Sequence, residues 1–167
     1  THPTDNDIWD TYYDYDTGSI TCLAGRILID KTINGSSDKT KSLICKYIHS
    51  QYNKKGINAF KELNGEFLVT HYDNLCKCIF IVRDRCGSIP CFYSISKNGD
   101  LLIGTQPDVI AKLGETSNKI DRSSIAQFIM TGKVWPPHTF YDTVKNIKHG
   151  CIHKIDVNIR QPRINQE

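Results

Sequence analysis

The residues of this chain whose types could do chemistry are concentrated in one stretch, residues 63–93. It reads LNGEFLVTHYDNLCKCIFIVRDRCGSIPCFY, with polar groups set on a framework of alternating apolar residues. An Asn-Gly-Glu lies at residues 64–66 and an Arg-Asp-Arg at residues 83–85. A thiol close to arginines, as Cys86 is, can react as a thiolate, and Cys86 is the most plausible reactive thiol of the chain. The question is whether these polar groups do chemistry or only hold a sheet together.

A structural role is the stronger interpretation of the same groups. Gly65 is expected to permit a close approach of two backbones, which is a common reason for glycine in a strand. Arg83 and Asp84 are expected to form a local ion pair or to cap a turn that Arg85 and Gly87 complete. The alternative is that Arg83 and Asp84 face a partner domain.

The cysteines and histidines form no recognisable metal-binding pattern. The chain has seven cysteines and six histidines, with no Cys-x-x-Cys pair and no histidine at zinc-finger spacing. Cys76 and Cys78 lie two apart in a strand-like run, so they are expected to share one face. A metal pair there stays open, but buried reduced thiols are favoured because free cysteine is among the most buried residue types. His71 is predicted to be a partly buried structural imidazole.

The composition indicates one soluble globular domain. The chain has 167 residues, 39% of them apolar and 23% charged. A net charge of +3, with the basic residues spread out, argues against a nucleic-acid partner. No apolar run approaches the roughly 20 residues that span a bilayer, and no signal peptide is visible. We therefore expect no membrane partner and a reduced, cytoplasmic location.

The elements that must position these residues are strands and helices joined by turns rich in glycine and asparagine. No glycine-rich phosphate loop of a common type is present. Antiparallel hairpins with helices between them predict an α+β layered domain. The predicted strands are 19–29, 67–72, 76–82, 89–96, 101–105 and 151–157. Three helices are predicted. The first begins at Ser37 or Asp38 and ends at Gly56, and the other two span 107–113 and 121–132.

Three segments follow from this reading. Residues 1–18 hold aspartates and aromatic residues without a clean period, and are expected to be a lead-in whose aromatic side chains dock on the body. Residues 19–158 form the domain. Residues 159–167 are expected to be a polar tail or a linker to a further domain.

The order of these pieces resembles the N-terminal domain of asparagine synthetases. The resemblance is carried by LNGEFLVTHYD, CIFIVRDRCGSIPCFYS and NGDLLIGTQPDVIAKL, and continues through IDRSSIAQFIMTGKVWPPHTFYDTVKNIKHGCIHKID. It runs from about Cys22 to Asp156. No single motif is decisive, but their order and spacing together are fairly specific.

The resemblance implies the class II glutamine amidotransferase fold. This is a four-layer α/β-β/α sandwich of two antiparallel sheets, of the N-terminal-nucleophile hydrolase type. In active members of the family an N-terminal cysteine attacks the side-chain amide of glutamine, with its own α-amino group as general base. The ammonia then passes to a second domain that uses ATP and Mg²⁺. That C-terminal domain is the implied partner, and no cofactor is expected in these 167 residues.

The residues that match the family's substrate site are altered. The family's Val-Asn-Gly-Glu element is similar to LAGRILID, in which Ala24 stands for the Asn, Gly25 for the Gly and Arg26 for the Glu. Loss of the Asn removes an oxyanion donor, worth roughly 3 kcal/mol in such sites. Arg26 reverses the charge that would hold the ammonium group of glutamine. Asp38 corresponds to the family's substrate-binding aspartate, and residues 64–66 match the start of a structural strand instead.

The attacking group is also missing from the matching positions. No cysteine precedes Cys22, and the residues before Ala24 are too few for the family's arginine-bearing segment. Thr1 is a formal N-terminal nucleophile, but THPTDND is polar where a buried strand is needed. We therefore predict no catalytic residue in this chain.

The resulting hypothesis is a degenerate amidotransferase-like domain of an asparagine-synthase-related, ATP-dependent ligase. It would lack glutaminase activity and have a scaffolding or interdomain role. One alternative is a glutaminase whose nucleophile segment precedes the residues given. The other is a stand-alone binding module that uses its acidic, aromatic N-terminus. The substrate of the parent ligase is not indicated, and a homodimer stays open.

Overall fold

The computed structural model describes residues 9–28, 41–114, 119–157 and 164–166, and two antiparallel sheets organise this part of the chain. This arrangement confirms the predicted α+β class. Its strands are β1 (Trp9–Asp14), β2 (Ser19–Ile27), β3 (Gly65–Asp73), β4 (Cys78–Arg83), β5 (Phe92–Ile95), β6 (Leu101–Gly104), β7 (Lys145–Asn146), β8 (Ile152–Asp156) and β9 (Ile164–Gln166). Its helices are α1 (Lys41–Lys55), α2 (Asn58–Lys61), α3 (Pro107–Leu113) and α4 (Arg122–Thr131).

The chain divides into two compact units. The first unit contains α1, α2 and a six-stranded sheet with the order β1-β2-β3-β4-β8-β9. The second unit contains α3, α4 and a three-stranded sheet with the order β6-β5-β7. In the described part of the chain, the helices are too short or too polar to cross a membrane.

The core of the first unit lies between the helices and one face of the six-stranded sheet. Strand residues two apart point to the same face, so alternate positions of β2, β3 and β4 contribute to it. Ile48 of α1 and Phe60 of α2 cover these strand residues. The core residues are Leu23, Ile27, Cys45, Ile48, Phe60, Phe67, Val69, Cys78, Phe80, Val82 and Ile152.

Strand β4 has buried residues on both faces, as its nearly continuous apolar sequence predicts. The two cysteines near its start do not share a face, and this prediction was wrong. Cys78 is the first residue of β4 and is buried, whereas Cys76 is exposed in the preceding turn. The oxygen Oδ1 of Asp73 accepts hydrogen bonds from the backbone amides of Leu75 and Cys76, at 2.8 and 3.2 Å. This side-chain-capped turn starts the strand later than the apolar pattern suggests.

The two ends of the chain take more part in the sheet than the sequence suggests. Residues 9–14, assigned to the lead-in, form the edge strand β1 and pair with β2 in the register Trp9↔Ala24 to Asp14↔Ser19. Residues 164–166, assigned to the tail, form β9 and pair with β8. The expected helix caps Ser37 and Asp38 lie outside the described residues.

In the second unit, local sequence signals set the elements. Asp121 caps α4 by accepting a hydrogen bond from the amide of Ser123, at 3.0 Å, and Gly132 ends the helix with a φ of +72°. Pro107 begins α3, as predicted. Strands β5 and β6 form a hairpin closed by a turn in which Gly99 has a φ of +90°.

Candidate functional site

Strand β2 carries Ala24, Gly25 and Arg26, which the sequence analysis predicts to correspond to a substrate-binding element. Ala24 is only 2% exposed and lies in register with Leu68 of β3 and Trp9 of β1. Its methyl group offers no hydrogen bond to a ligand. Arg26 is exposed and lies in register with Glu66 of β3. The strand therefore presents a buried methyl group at position 24 and an exposed cation at position 26.

Glycines hold β2 and β3 unusually close at this end of the sheet. Gly25 has a φ of +93°, and a Cβ there would lie 2.1 Å from the carbonyl oxygen of Glu66. Gly65 has a φ of +139°, and a Cβ there would lie 2.3 Å from the carbonyl oxygen of Arg26. Both conformations and both contacts exclude a side chain. The prediction that Gly65 permits a close backbone approach is confirmed, and residues 64–66 lead into a strand.

Asp84 organises the turn that follows β4. Its side chain accepts hydrogen bonds from the backbone amides of Phe67 at 3.2 Å, Cys86 at 2.8 Å and Ser88 at 3.0 Å, and from the hydroxyl of Ser88 at 3.2 Å. Burial alone would raise the pKa of this carboxyl, but these hydrogen bonds lower the pKa below its usual value. Asp84 is thus a cap that holds the turn against β3, which confirms the capping alternative.

Arg83 and its neighbours complete the same turn. The guanidinium of Arg83 is buried and donates to the carbonyl oxygens of Ile89, at 3.0 Å, and Gly87, at 3.2 Å. Gly87 has a φ of +68°, and a Cβ there would lie 2.8 Å from Cβ of His149. The ring of His149 donates from Nδ1 to the carbonyl oxygen of Arg85, at 2.9 Å. These contacts attach the turn to the segment that enters β8.

A cleft of about 460 Å³ lies beside this turn, at the end of the six-stranded sheet. We call it the turn cleft. Its walls come from α2, the start of β3, the end of β4 and the start of β8. Cys86 is exposed at its edge, as are the charged side chains of Lys61, Glu66 and Arg85. The described residues that line it are Phe60, Lys61, Leu63, Asn64, Gly65, Glu66, Phe67, Val82, Arg83, Asp84, Arg85, Cys86, Ser88, Gly150, Cys151 and Ile152.

A polar cluster that the sequence analysis missed lies under α1. The hydroxyl of Thr21 is 2.8 Å from Nδ1 of His71 and 3.4 Å from Nδ1 of His49. Nε2 of His49 is 3.1 Å from a carboxylate oxygen of Asp14. The order hydroxyl, imidazole, carboxylate is that of a nucleophilic triad. However, Thr21 is 0% exposed, so a substrate does not reach it.

His71 is more deeply buried than the sequence analysis expected. It is 0% exposed, and its Nε2 atom has no hydrogen-bond partner among the described residues. Burial, together with the charge on His49, lowers the pKa of His71 to about 4. Its ring contacts the aromatic rings of Tyr52 and Phe80, at 4.3 and 6.3 Å between centroids. The imidazole is therefore a neutral core residue near neutral pH.

Two residues that the sequence analysis names, Thr1 and Asp38, lie outside the described residues. In the described ranges, no group of three or more His, Cys, Asp or Glu side chains is arranged to hold a metal ion. The structure thus brings together the turn residues 83–87 and the start of β3, and it places Ala24 to Arg26 on the neighbouring strand β2.

Comparison with known proteins gives one family. The model of the glutamine amidotransferase domain matches residues 31–164, which is most of the chain. The matched residues include α1, the turn cleft and the whole second unit. They do not include Ala24, Gly25 or Arg26. No curated protein matches the chain.

Proposed function

The chain belongs to the glutamine amidotransferase domain family, and we propose that it is a degenerate member without glutaminase activity. In this proposal it is the amidotransferase-like domain of an asparagine-synthase-related ligase. The order of LNGEF, RDRCGSIP and the hairpin that leads into α3 supports this relationship. A four-layer sandwich of the N-terminal-nucleophile type is part of the same proposal.

The observation that carries the proposal is the chemistry of β2 at its altered positions. Glutamine hydrolysis needs donors where negative charge develops on the amide oxygen, and an Asn donor of this kind is worth about 10²–10³ in rate. The buried methyl of Ala24 offers none. A carboxylate is needed opposite the ammonium group of glutamine, and the exposed guanidinium of Arg26 repels that group. Both changes act against the same substrate.

A scaffolding role follows from what the chain retains. Gly25 and Gly65 keep the backbones of β2 and β3 in contact. Asp84 accepts three hydrogen bonds within the following turn and one from the amide of Phe67 on β3. This sheet would serve as a docking platform for an ATP- and Mg²⁺-dependent domain of the same polypeptide. That domain would supply the amide-forming chemistry, and this one would shape or stabilise it.

The test is ammonia release from glutamine, measured with a coupled dehydrogenase assay on the purified chain and on the natural full-length protein. We expect no release above the enzyme-free control, and no glutamine binding by calorimetry. The variant Arg26→Glu, which places a carboxylate at this exposed position, should gain glutamine binding. The matched control Arg122→Glu makes the same charge change on an exposed residue of α4 and should not gain it. Glutamine-dependent ammonia release by the wild-type protein would refute the proposal.

An active glutaminase is the second candidate, because the family match and the retained geometry of Gly25 favour it. Its nucleophile would come from a segment that precedes Thr1 in the natural protein. Alkylation of the full-length protein by a glutamine-analogue electrophile at an N-terminal cysteine would support this candidate. The absence of such labelling, with no ammonia release, would leave the degenerate domain as the explanation.

A further inference from the structure

We propose that the turn cleft binds a small amphipathic anion, a molecule with an apolar body and one carboxylate. This site is separate from the residues of β2 that match the family's substrate element. The inference does not depend on the proposed function.

The size and lining of the turn cleft fit a small ligand. A cavity of about 460 Å³ is within the range of ligand sites, which are typically about 300–1,000 Å³. Its apolar lining residues are the partly buried Leu63 and the edges of the buried core residues Phe60, Phe67, Val82 and Ile152. Transfer of an apolar group of the ligand from water to this lining is favourable in proportion to the apolar area that is buried.

The charged side chains at the edge of the cleft determine which sign of charge on a ligand is favoured. Five of the described lining residues are charged, but Arg83 and Asp84 are buried and already hydrogen-bonded within the turn. The exposed charges are Lys61 and Arg85, which are cations, and Glu66, which is an anion. Two cations against one anion leave one positive charge at the edge. A carboxylate is therefore favoured over an ammonium group.

The walls of the cleft are held in place before any ligand binds. Asp84 fixes the turn that bears Arg85 and Cys86, and the amide of Gly150 donates to the carbonyl oxygen of Asp84, at 2.9 Å. Gly65 fixes the start of β3 against β2. A site whose walls are already ordered loses little conformational entropy when it binds a ligand.

The alkylation rates of two thiols can report the binding of a ligand in the cleft. Cys86 is exposed at the edge of the turn cleft, and Cys76 is exposed in the turn at the opposite end of β4. The six residues of β4 separate the two ends by about 17 Å, at about 3.3 Å per residue. A ligand in the cleft covers Cys86 and leaves Cys76 in solvent. Burial and hydrogen bonds with Cys78 and Asp73 raise the pKa of Cys76 to about 12, so its alkylation is slow and is followed over a longer time. Its rate with and without ligand is the internal control.

The experiment follows the alkylation of each thiol by N-ethylmaleimide, quantified by peptide mass spectrometry, on the full chain. Phenylpropionate is the anionic probe, and phenethylamine is a cation with the same ring and a similar chain. We expect phenylpropionate to slow the alkylation of Cys86 with a Kd in the millimolar range and to leave Cys76 unchanged. Phenethylamine should protect Cys86 less.

Charge variants test which side chains recognise the carboxylate. Lys61→Gln and Arg85→Gln should each weaken phenylpropionate binding a few-fold, and the double variant by about tenfold. Glu66→Gln should strengthen binding of phenylpropionate and weaken that of phenethylamine. Lys54→Gln, an exposed lysine of α1 outside the cleft, is the matched control and should change neither.

Three results would overturn the inference. The first is no protection of Cys86 by phenylpropionate, and the second is equal protection of Cys86 and Cys76. The third is that phenylpropionate and phenethylamine bind equally well, both to the wild type and to the double variant. This would show an apolar cavity that does not recognise charge. None of these results bears on ammonia release from glutamine, so the two proposals fail separately.

Discussion

Acidification should destabilise this domain through His71, and the effect can be calculated. The pKa of a histidine in an unfolded chain is about 6.5, and burial lowers the pKa of His71 to about 4 in the folded protein. Between these values the unfolded state binds the extra proton, so stability is complete above pH 6.5 and falls as the pH falls toward 4. The two pKa values give a loss of about 2 kcal/mol between pH 7 and pH 5, and about 3 kcal/mol by pH 4.

The surroundings of His71 explain why the folded state does not accept the proton. The imidazole is 0% exposed, and its neighbours are the ring of Tyr52 on α1, the hydroxyl of Thr21 on β2 and the ring of Phe80 on β4. The other titratable group that opposes protonation is His49, whose ring lies 5.4 Å away. Asp73 acts in the opposite direction, but burial and His49 have the larger effect.

Urea unfolding at pH 5, 6 and 7, followed by circular dichroism, measures the effect. His71→Phe should remove most of the loss between pH 7 and pH 5, since a phenyl ring fits the aromatic surroundings and does not titrate. His138→Gln, which removes an exposed histidine, is the control and should keep the wild-type loss. The interval from pH 5 to pH 7 lies above the usual pKa of aspartate, so the carboxylates contribute little there. Equal pH dependence in His71→Phe and the wild type would refute the reasoning.

Two further variants test the contacts that hold the site region together. In urea titrations, Asp84→Ala should lower the free energy of unfolding by at least about 2 kcal/mol, because the buried amide of Phe67 loses its acceptor. The control Asp100→Ala, in the exposed turn between β5 and β6, should lower the free energy of unfolding much less. Gly65→Ala should destabilise the protein more than Gly56→Ala. At Gly56 the left-handed conformation alone costs about 1–2 kcal/mol, and an added Cβ would meet no atom of the described residues within 4 Å. A smaller loss at Gly65 than at Gly56 would contradict the close approach of β2 and β3.

Elements whose signals are local could be predicted from the sequence. The limits of α4 follow from Asp121 and Gly132, because a capping carboxylate and a left-handed glycine act within one helical turn. The β5–β6 hairpin follows from Asn98-Gly99 for the same reason. Asp84 could be assigned to a turn because acceptors of this type cap adjacent amides. In each case the residues that decide the structure are close in sequence.

Elements that are stabilised by contacts between residues far apart in sequence could not be predicted in the same way. β1 reads WDTYYD, and the side chains of Asp10 and Asp14 reach α1, where they accept from the amide of Cys45 and contact His49. An inward aspartate looks like a solvent-exposed residue in any local pattern. The cluster around Thr21 likewise joins residues 28 and 50 positions apart, and no spacing rule indicates it.

The positions of β2 differ in how strongly the sheet constrains them. A side chain at Gly25 or Gly65 would meet backbone oxygens at 2.1 or 2.3 Å, and a backbone oxygen in a sheet cannot move without loss of its pairing. Ala24 has a steric limit of its own, because it is buried and a larger side chain there would need space in the core. Arg26 is exposed and has no such limit. In the proposed degenerate domain, Arg26 is therefore the position on β2 at which a change of charge costs the fold least.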